Sequence, residues 1–164
     1  MTPIWSKIME SFVAGYTLIE TKKHWKINQH GGKKGSGVDH VLIKMWNTTL
    51  KALEPNGGQR SVVMCGVDFS KSFSRCSFQE ILLAYKRLKA PQWIINMHAA
   101  FLKNRSMQVK VGNTLSLPVE ITGGAVQGSI MGVMDHNAVL EDIDDDFQID
   151  ATEKYVDDLS LIHI

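Results

Sequence analysis

Residues 152–162, TEKYVDDLSLI, set two short apolar runs on either side of Asp157-Asp158. Such runs, broken by two adjacent aspartates, predict a tight β-hairpin that carries both carboxylates at its tip. Residues 61–69, SVVMCGVDF, are β-branched and apolar with Asp68 near their end, and predict a buried strand. Aspartates placed on strand ends are held by rigid elements rather than by mobile loops. An Asp-Asp pair alone is most often a solvated turn, so its meaning depends on the rest of the chain.

Outward from these strands, helical patterns dominate. Ile4, Ile8, Phe12, Tyr16 and Ile19 recur at helical spacing and predict a helix over 4–20. The segment 21–37, TKKHWKINQHGGKKGSG, breaks it with four glycines and five lysines and reads as a basic loop before a helix over 38–53. EPNGGQR, 54–60, is a turn. Ser77-x-x-Glu80 is a capping box for a helix through Leu88, and Pro91 opens another to about Leu102. Residues 106–122 alternate on both sides of Gly112-Asn113-Thr114 and predict a second hairpin. Gly123-Gly124 and Gln127-Gly128-Ser129 end it, and a helix over about 130–142 follows. At 164 residues the chain fits one domain. The fold class is α+β, with an antiparallel sheet and helices packed on one face.

Charge is divided along the chain. Residues 1–110 hold 17 of the 18 Lys and Arg against 6 acidic residues, a balance of +11, and residues 111–164 hold Lys154 against 11 acidic residues, a balance of −10. A basic section suits a polyanion and an acidic one suits divalent cations. Two oppositely charged faces that attract each other would produce the same counts. Cys65 and Cys76 form no disulfide framework or zinc spacing, which points to a reducing, intracellular setting, cytoplasm or nucleus. No stretch is apolar and long enough to predict a membrane span.

Nucleotidyl transfer asks little covalent chemistry of a protein. It needs two divalent ions roughly 3.5 to 4 Å apart, held by carboxylates, to stabilise the attacking and leaving oxygens. Six blocks along the chain, in order, resemble those of RNA-templated polymerases, reverse transcriptases especially. PIWSKIMESFV and QHGGKKGSGVDHVL resemble the finger-region blocks; GVDFSKSFSR resembles the first palm motif and FLKNRSMQVKVGNTLS the link beyond it. GGAVQGSIMG resembles the Pro-Gln-Gly-Ser motif and YVDDLSLI the Tyr-x-Asp-Asp motif.

The resemblance implies a right-hand polymerase palm over 61–164 and a partial fingers region over 1–60, with no thumb. It implies that Asp68, Asp157 and Asp158 hold two Mg²⁺, or Mn²⁺. The amides of Phe69, Ser70, Lys71 and Ser72 would face the triphosphate of the incoming nucleotide, as exposed turn amides face other anions. Gln127 would approach the sugar, Gly128 would let the backbone come close, and Ser129 completes that block. Lys33 and Lys34 would touch template or primer phosphates. Phe73 stands where reverse transcriptases carry an aromatic against a ribose 2′-OH, which implies deoxynucleotide selection. The implied partners are an RNA template, a primer strand and nucleoside triphosphates.

Departures from the family pattern fall at Ser74, Cys76-Ser77, Ala125-Val126 and Val133-Met134-Asp135-His136. Two other readings therefore stay open: a viral RNA-dependent RNA polymerase fragment, and an inactive fragment, such as a decayed mobile-element copy, that binds nucleic acid without turnover. Residues 142–153 also place oxygens at calcium-loop positions 1, 3, 5, 9 and 12, but Phe147 stands where that loop needs glycine. An acidic surface loop is the preferred reading. Among the tryptophans, Trp46 and Trp93 lie on apolar helical faces and read as core. Trp25, set between lysines, reads as a base-stacking residue.

Overall fold

The computed structural model describes residues 4–54, 61–145 and 149–164. Helix α1 runs Ile4–Thr21, a short 3-10 turn follows at Lys22–His24, and α2 runs Val38–Leu53. Strand β1, Val63–Asp68, leads into the one-turn helix α3, Ser72–Arg75, and then α4, Phe78–Arg87, and α5, Gln92–Leu102. Ser77 and Glu80 form the expected capping box: Ser77 Oγ accepts from the Glu80 amide at 3.1 Å, and Glu80 Oε2 accepts from the Ser77 amide at 3.0 Å. Each bond satisfies an amide that the first helical turn leaves free. The turn EPNGGQR falls largely outside the described residues.

The stretch predicted as one hairpin over 106–122 is two separate ladders. Strand β2, Arg105–Met107, pairs with β5, Val119–Ile121, and nearer the tip β3, Lys110–Val111, pairs with β4, Thr114–Leu115. The last helix, α6, spans Ile130–Val139 and stops short of the expected 142. Strands β6, Ala151–Tyr155, and β7, Asp158–His163, close the chain.

The main sheet has the order β1-β7-β6 and is antiparallel throughout. One sequence expectation is corrected here. The strand ending at Asp68 is not buried: it is an edge strand, with Val63 and Met64 at 60% and 50% exposure. Its apolar residues suggested cover on both faces, whereas neighbours in the sheet stand on one side alone.

The largest core cluster lies among the helices, while Leu159 and Ile162 of β7 are buried on the sheet. Ile81, Ala84 and Tyr85 of α4, with Leu88 at its C-terminal end, cluster with Ile94, Ile95 and Leu102 of α5, Ala14 of α1, and Met134 and Ala138 of α6. The α4 residues fall at the i, i+3, i+4, i+7 spacing that makes one apolar stripe. Cys76 joins this core, and burial, with Glu80 and Asp135 near it, pushes its thiol up to about 11. Cys65 is exposed on β1. A thiol reagent at pH 8 should therefore modify Cys65 in the native protein and Cys76 only after unfolding, a difference that mass spectrometry of the labelled chain reads directly. Rapid modification of both would contradict this packing.

The basic and acidic sections meet each other. Lys26 pairs with Asp144 and Asp145, Lys44 with Glu153 at 3.6 Å, and Arg87 with Asp142 at 2.7 Å. Part of the charge asymmetry is thus internal attraction. Among the described residues no helix is long and apolar enough to cross a membrane.

The tryptophan assignments reverse. Trp46 and Trp93 are 67% and 47% exposed, while Trp25 packs against the core and donates its indole N–H to Thr21 Oγ1 at 2.7 Å. The apolar faces of α1 and α2 are wider than the surface that covers them, so helical spacing alone overstated burial.

Candidate active site

Strand register builds the centre of the site. Asp68 lies directly opposite Asp158 across the β1–β7 pair, and Tyr155 pairs with Asp158 across the β6–β7 hairpin. Val156 and Asp157 therefore form a two-residue turn. Directly opposed residues share a face of the sheet, with Cβ atoms about 4.5 to 5.5 Å apart, and like charges so placed repel. Among the described residues none of the three carboxylates takes part in a salt bridge, in contrast to Asp135, Asp142, Asp144 and Asp150.

No three His, Cys, Asp or Glu side chains converge closely enough among the described residues to form a ready cage for a metal ion. The donor set nonetheless fits a hard divalent cation. Mg²⁺ takes one or two carboxylates and fills its remaining positions with water and substrate phosphate, so it does not require a complete protein cage.

Val156 adopts φ of +57°, in the left-handed region that a β-branched residue seldom enters. With positive φ at the first turn residue alone, the turn is of the II′ kind that suits hairpin twist. Lys71, just after the Asp68 strand, is also left-handed at +58°. There the chain reverses, and the Ser72 amide is spent on the Phe69 carbonyl at 3.2 Å.

Behind this turn, α6 supplies a support that the sequence marked only as a departure. His136 stacks on Phe73 with ring centroids 4.1 Å apart and planes 5° from parallel, and its Nε2 lies 2.7 Å from Ser72 Oγ. Burial lowers the pKa of this imidazole from its ordinary value, with the Asp157 charge pulling the other way. Phe73 is thus half-buried and fixed in orientation.

The Gly-Gly-Ala-Val-Gln loop is tied to the same turn. The Gly124 amide donates to the Cys76 carbonyl and the Ala125 amide to the Phe73 carbonyl, each at 2.7 Å. Gln127 and Gly128 are exposed, and Gln127 lines a cleft of about 380 Å³ with Ser74 and Arg105. Ser129 is buried at the start of α6, where its hydroxyl accepts from the Gly132 amide at 2.8 Å and donates to the Val126 carbonyl at 3.1 Å. That hydroxyl caps the helix. A Cβ at Gly132 would lie 1.9 Å from the Val126 carbonyl oxygen, so glycine is needed for this close approach.

The two finger-region lysines differ. Lys33 Nζ donates to the Lys26 carbonyl at 3.0 Å, and burial lowers its pKa; Lys34 is exposed. The neighbouring Gln29, which opens the QHGGKKGSGVDHVL block and was given no role in the sequence reading, reaches the Asp157 hairpin instead. Its Oε1 accepts from the Val156 amide at 3.1 Å.

The acidic segment 142–153 is bound to the protein's own cations. Burial would raise the Asp144 pKa, but hydrogen bonds from Thr152, Lys154 and Lys26 outweigh it and hold the carboxyl well below its usual range. Lys154 Nζ also donates to the Leu140 and Glu141 carbonyls, at 3.2 and 2.7 Å, and so caps the end of α6. The segment joins a helix to a strand, unlike a calcium hand between two helices, and its residues 146–148 lie outside the described part.

In architecture, then, the chain is an α+β unit with antiparallel sheets and packed helices, with Asp68 opposite Asp158 at the end of its main sheet and Asp157 in the adjoining turn. Its backbone is similar to that of an apo telomerase from Candida tropicalis truncated from its C-terminal domain, with a TM-score of 0.66 at 12% sequence identity. The likeness covers 93% of this chain and 34% of that one, so the chain spans about a third of the telomerase's length. At this identity the likeness is one of fold alone. No family model matches the chain, and no curated protein matches it.

Proposed function

We propose that this chain is the palm and partial fingers of a reverse-transcriptase-like polymerase, with residues 61–164 as palm and 1–60 as fingers. The observation that carries the reading is the register that sets Asp68 opposite Asp158 with Asp157 in the adjoining turn. It is supported by the similarity in fold to telomerase, a reverse transcriptase.

On this reading Asp68, Asp157 and Asp158 hold two Mg²⁺, which would neutralise charge developing on the attacking and leaving oxygens. The chain's own residues position the reactants. The turn at Phe69–Ser72 and the exposed Gln127-Gly128 loop flank the incoming nucleoside triphosphate, and Lys34 meets a phosphate of the template or primer strand. Phe73 limits the sugar. Held flat against His136, its ring cannot swing aside, and a 2′-OH would meet carbon where it needs a hydrogen-bond partner.

The test is primer extension on an RNA template with Mg²⁺, supplying deoxynucleotides and ribonucleotides separately. Extension with deoxynucleotides is the expected result. Phe73→Ala should raise ribonucleotide use relative to deoxynucleotide use by roughly tenfold or more, the discrimination one packed group supplies. The ratio of kcat/KM values is the readout, because it does not depend on how much of the variant is folded. A wild-type preference for ribonucleotides would replace this reading with an RNA replicase, and no extension with either would leave a nucleic-acid-binding fragment.

A further inference from the structure

The structure assigns Gln29 as a positioning residue for the Asp157-Asp158 hairpin, an inference that rests on the polymerase reading above. Gln29 is buried, at 1% exposure, and its side-chain amide engages both polar groups of the Val156 backbone. Oε1 accepts from the Val156 N–H at 3.1 Å, and Nε2 donates to the Val156 carbonyl at 3.4 Å. The same Oε1 also accepts from the Gly31 amide at 2.9 Å, which fixes the side chain's own orientation.

Val156 is the residue at which the hairpin takes its left-handed turn, and a β-branched residue persists there only when its surroundings hold it. At the tip of a hairpin no further strand can supply backbone partners. A primary amide, with one acceptor and one donor side by side, replaces that missing strand at a single residue. Glutamate could accept but not donate, and would add a negative charge beside three others. Methionine matches the length and offers neither bond.

The loop that delivers Gln29 is itself built for this approach. The His30 amide donates to the Lys154 carbonyl at 2.8 Å and the Lys154 amide to the Asn28 carbonyl at 2.7 Å, so residues 28–30 run beside β6 as a parallel bridge. A Cβ at Gly31 would lie 2.4 Å from Val156 Cγ2 and 2.5 Å from the Val156 nitrogen, so only glycine lets the loop pass this close. Asn137 of α6 holds the same loop, donating to the Gly31 carbonyl at 2.9 Å. The loop from Gln29 to Gly31 thus acts on the carboxylates through the backbone of the turn.

The experiment compares wild type, Gln29→Met and Gln29→Glu in three measurements: amide hydrogen exchange, Mn²⁺ binding followed by water proton relaxation, and primer extension. In Gln29→Met the Val156 amide should exchange on the order of tenfold faster while the α4 and α5 amides keep their rates. Mn²⁺ affinity and kcat should each fall on the order of 10- to 100-fold, as when outer partners of metal ligands are removed. Gln29→Glu, which keeps the acceptor, should retain Val156 protection and lose Mn²⁺ affinity and kcat less than Gln29→Met.

Unchanged Val156 exchange in Gln29→Met, or a uniform rise across the helices, would overturn the assignment, the second outcome making Gln29 a general structural residue. If wild type extends no primer while Gln29→Met still loses Val156 protection and Mn²⁺ affinity, the polymerase reading fails and the clamp stands.

Discussion

Asp157→Asn should abolish RNA-templated primer extension, lowering kcat by about 1000-fold or more, while the protein folds as well as wild type or better. Asparagine keeps the size and shape of aspartate and can sit in the same two-residue turn. What it loses is the charge. A carboxylate that holds a catalytic divalent ion contributes several kcal/mol to charge stabilisation in the transition state, and about 4 kcal/mol corresponds to three decades of rate. Stability should move the other way, because Asp157 adjoins the opposed Asp68 and Asp158, whose charges repel in the absence of a cation. The urea midpoint should therefore stay level or rise. Loss of function with a gain in stability is the mark of a site whose charges serve chemistry rather than folding. Equal extension by the two proteins would sink the catalytic role of Asp157.

The second large effect concerns stability alone. Asp135, His98, Tyr85 and Thr17 are all at 0% exposure, each on a different helix, and form one network. Asp135 Oδ1 lies 2.8 Å from the Tyr85 hydroxyl that donates to it and 2.7 Å from His98 Nδ1. Thr17 donates its hydroxyl proton to the Val13 carbonyl at 2.8 Å, and its oxygen lies 3.2 Å from His98 Nε2. Both ring nitrogens of His98 are therefore committed, and Asp135 joins α6 to α4 and α5.

Asp135→Ala would leave the Tyr85 hydroxyl and the His98 ring without their acceptor in a region sealed from water, costing about 3 kcal/mol or more. Asp135→Asn keeps one carbonyl oxygen for the same two partners and should cost on the order of 1 kcal/mol. Urea denaturation followed by far-UV circular dichroism would measure both. An alanine variant within about 0.5 kcal/mol of wild type would mean that the network contributes nothing net to folding.

These two aspartates mark different limits of sequence reading. Asp157 was legible because it stands beside Asp158 between two apolar runs, a local pattern that needs no partner to be seen. Asp135 looked like a departure from a family pattern, and nothing within a few residues of it shows that His98 and Tyr85 meet it. The helices were likewise legible: the capping box at Ser77 and Glu80 and the proline at 91 act on the turn that contains them. Burial was not. Trp46 sits in an apolar stripe and is exposed, while Trp25 sits among lysines and packs on the core.

Local patterns in the chain were enough for the long helices, the hairpin with its paired aspartates, and the residue types available for a cation site. These follow from periodicity and capping, which act within one or two turns of chain. Tertiary structure alone decided that Asp68 faces Asp158, that His136 flattens Phe73, and that Gln29 holds Val156 from 127 positions away. Strand register and helix docking are chosen by the packing of the whole chain, and contacts at such separations leave no periodic trace in it.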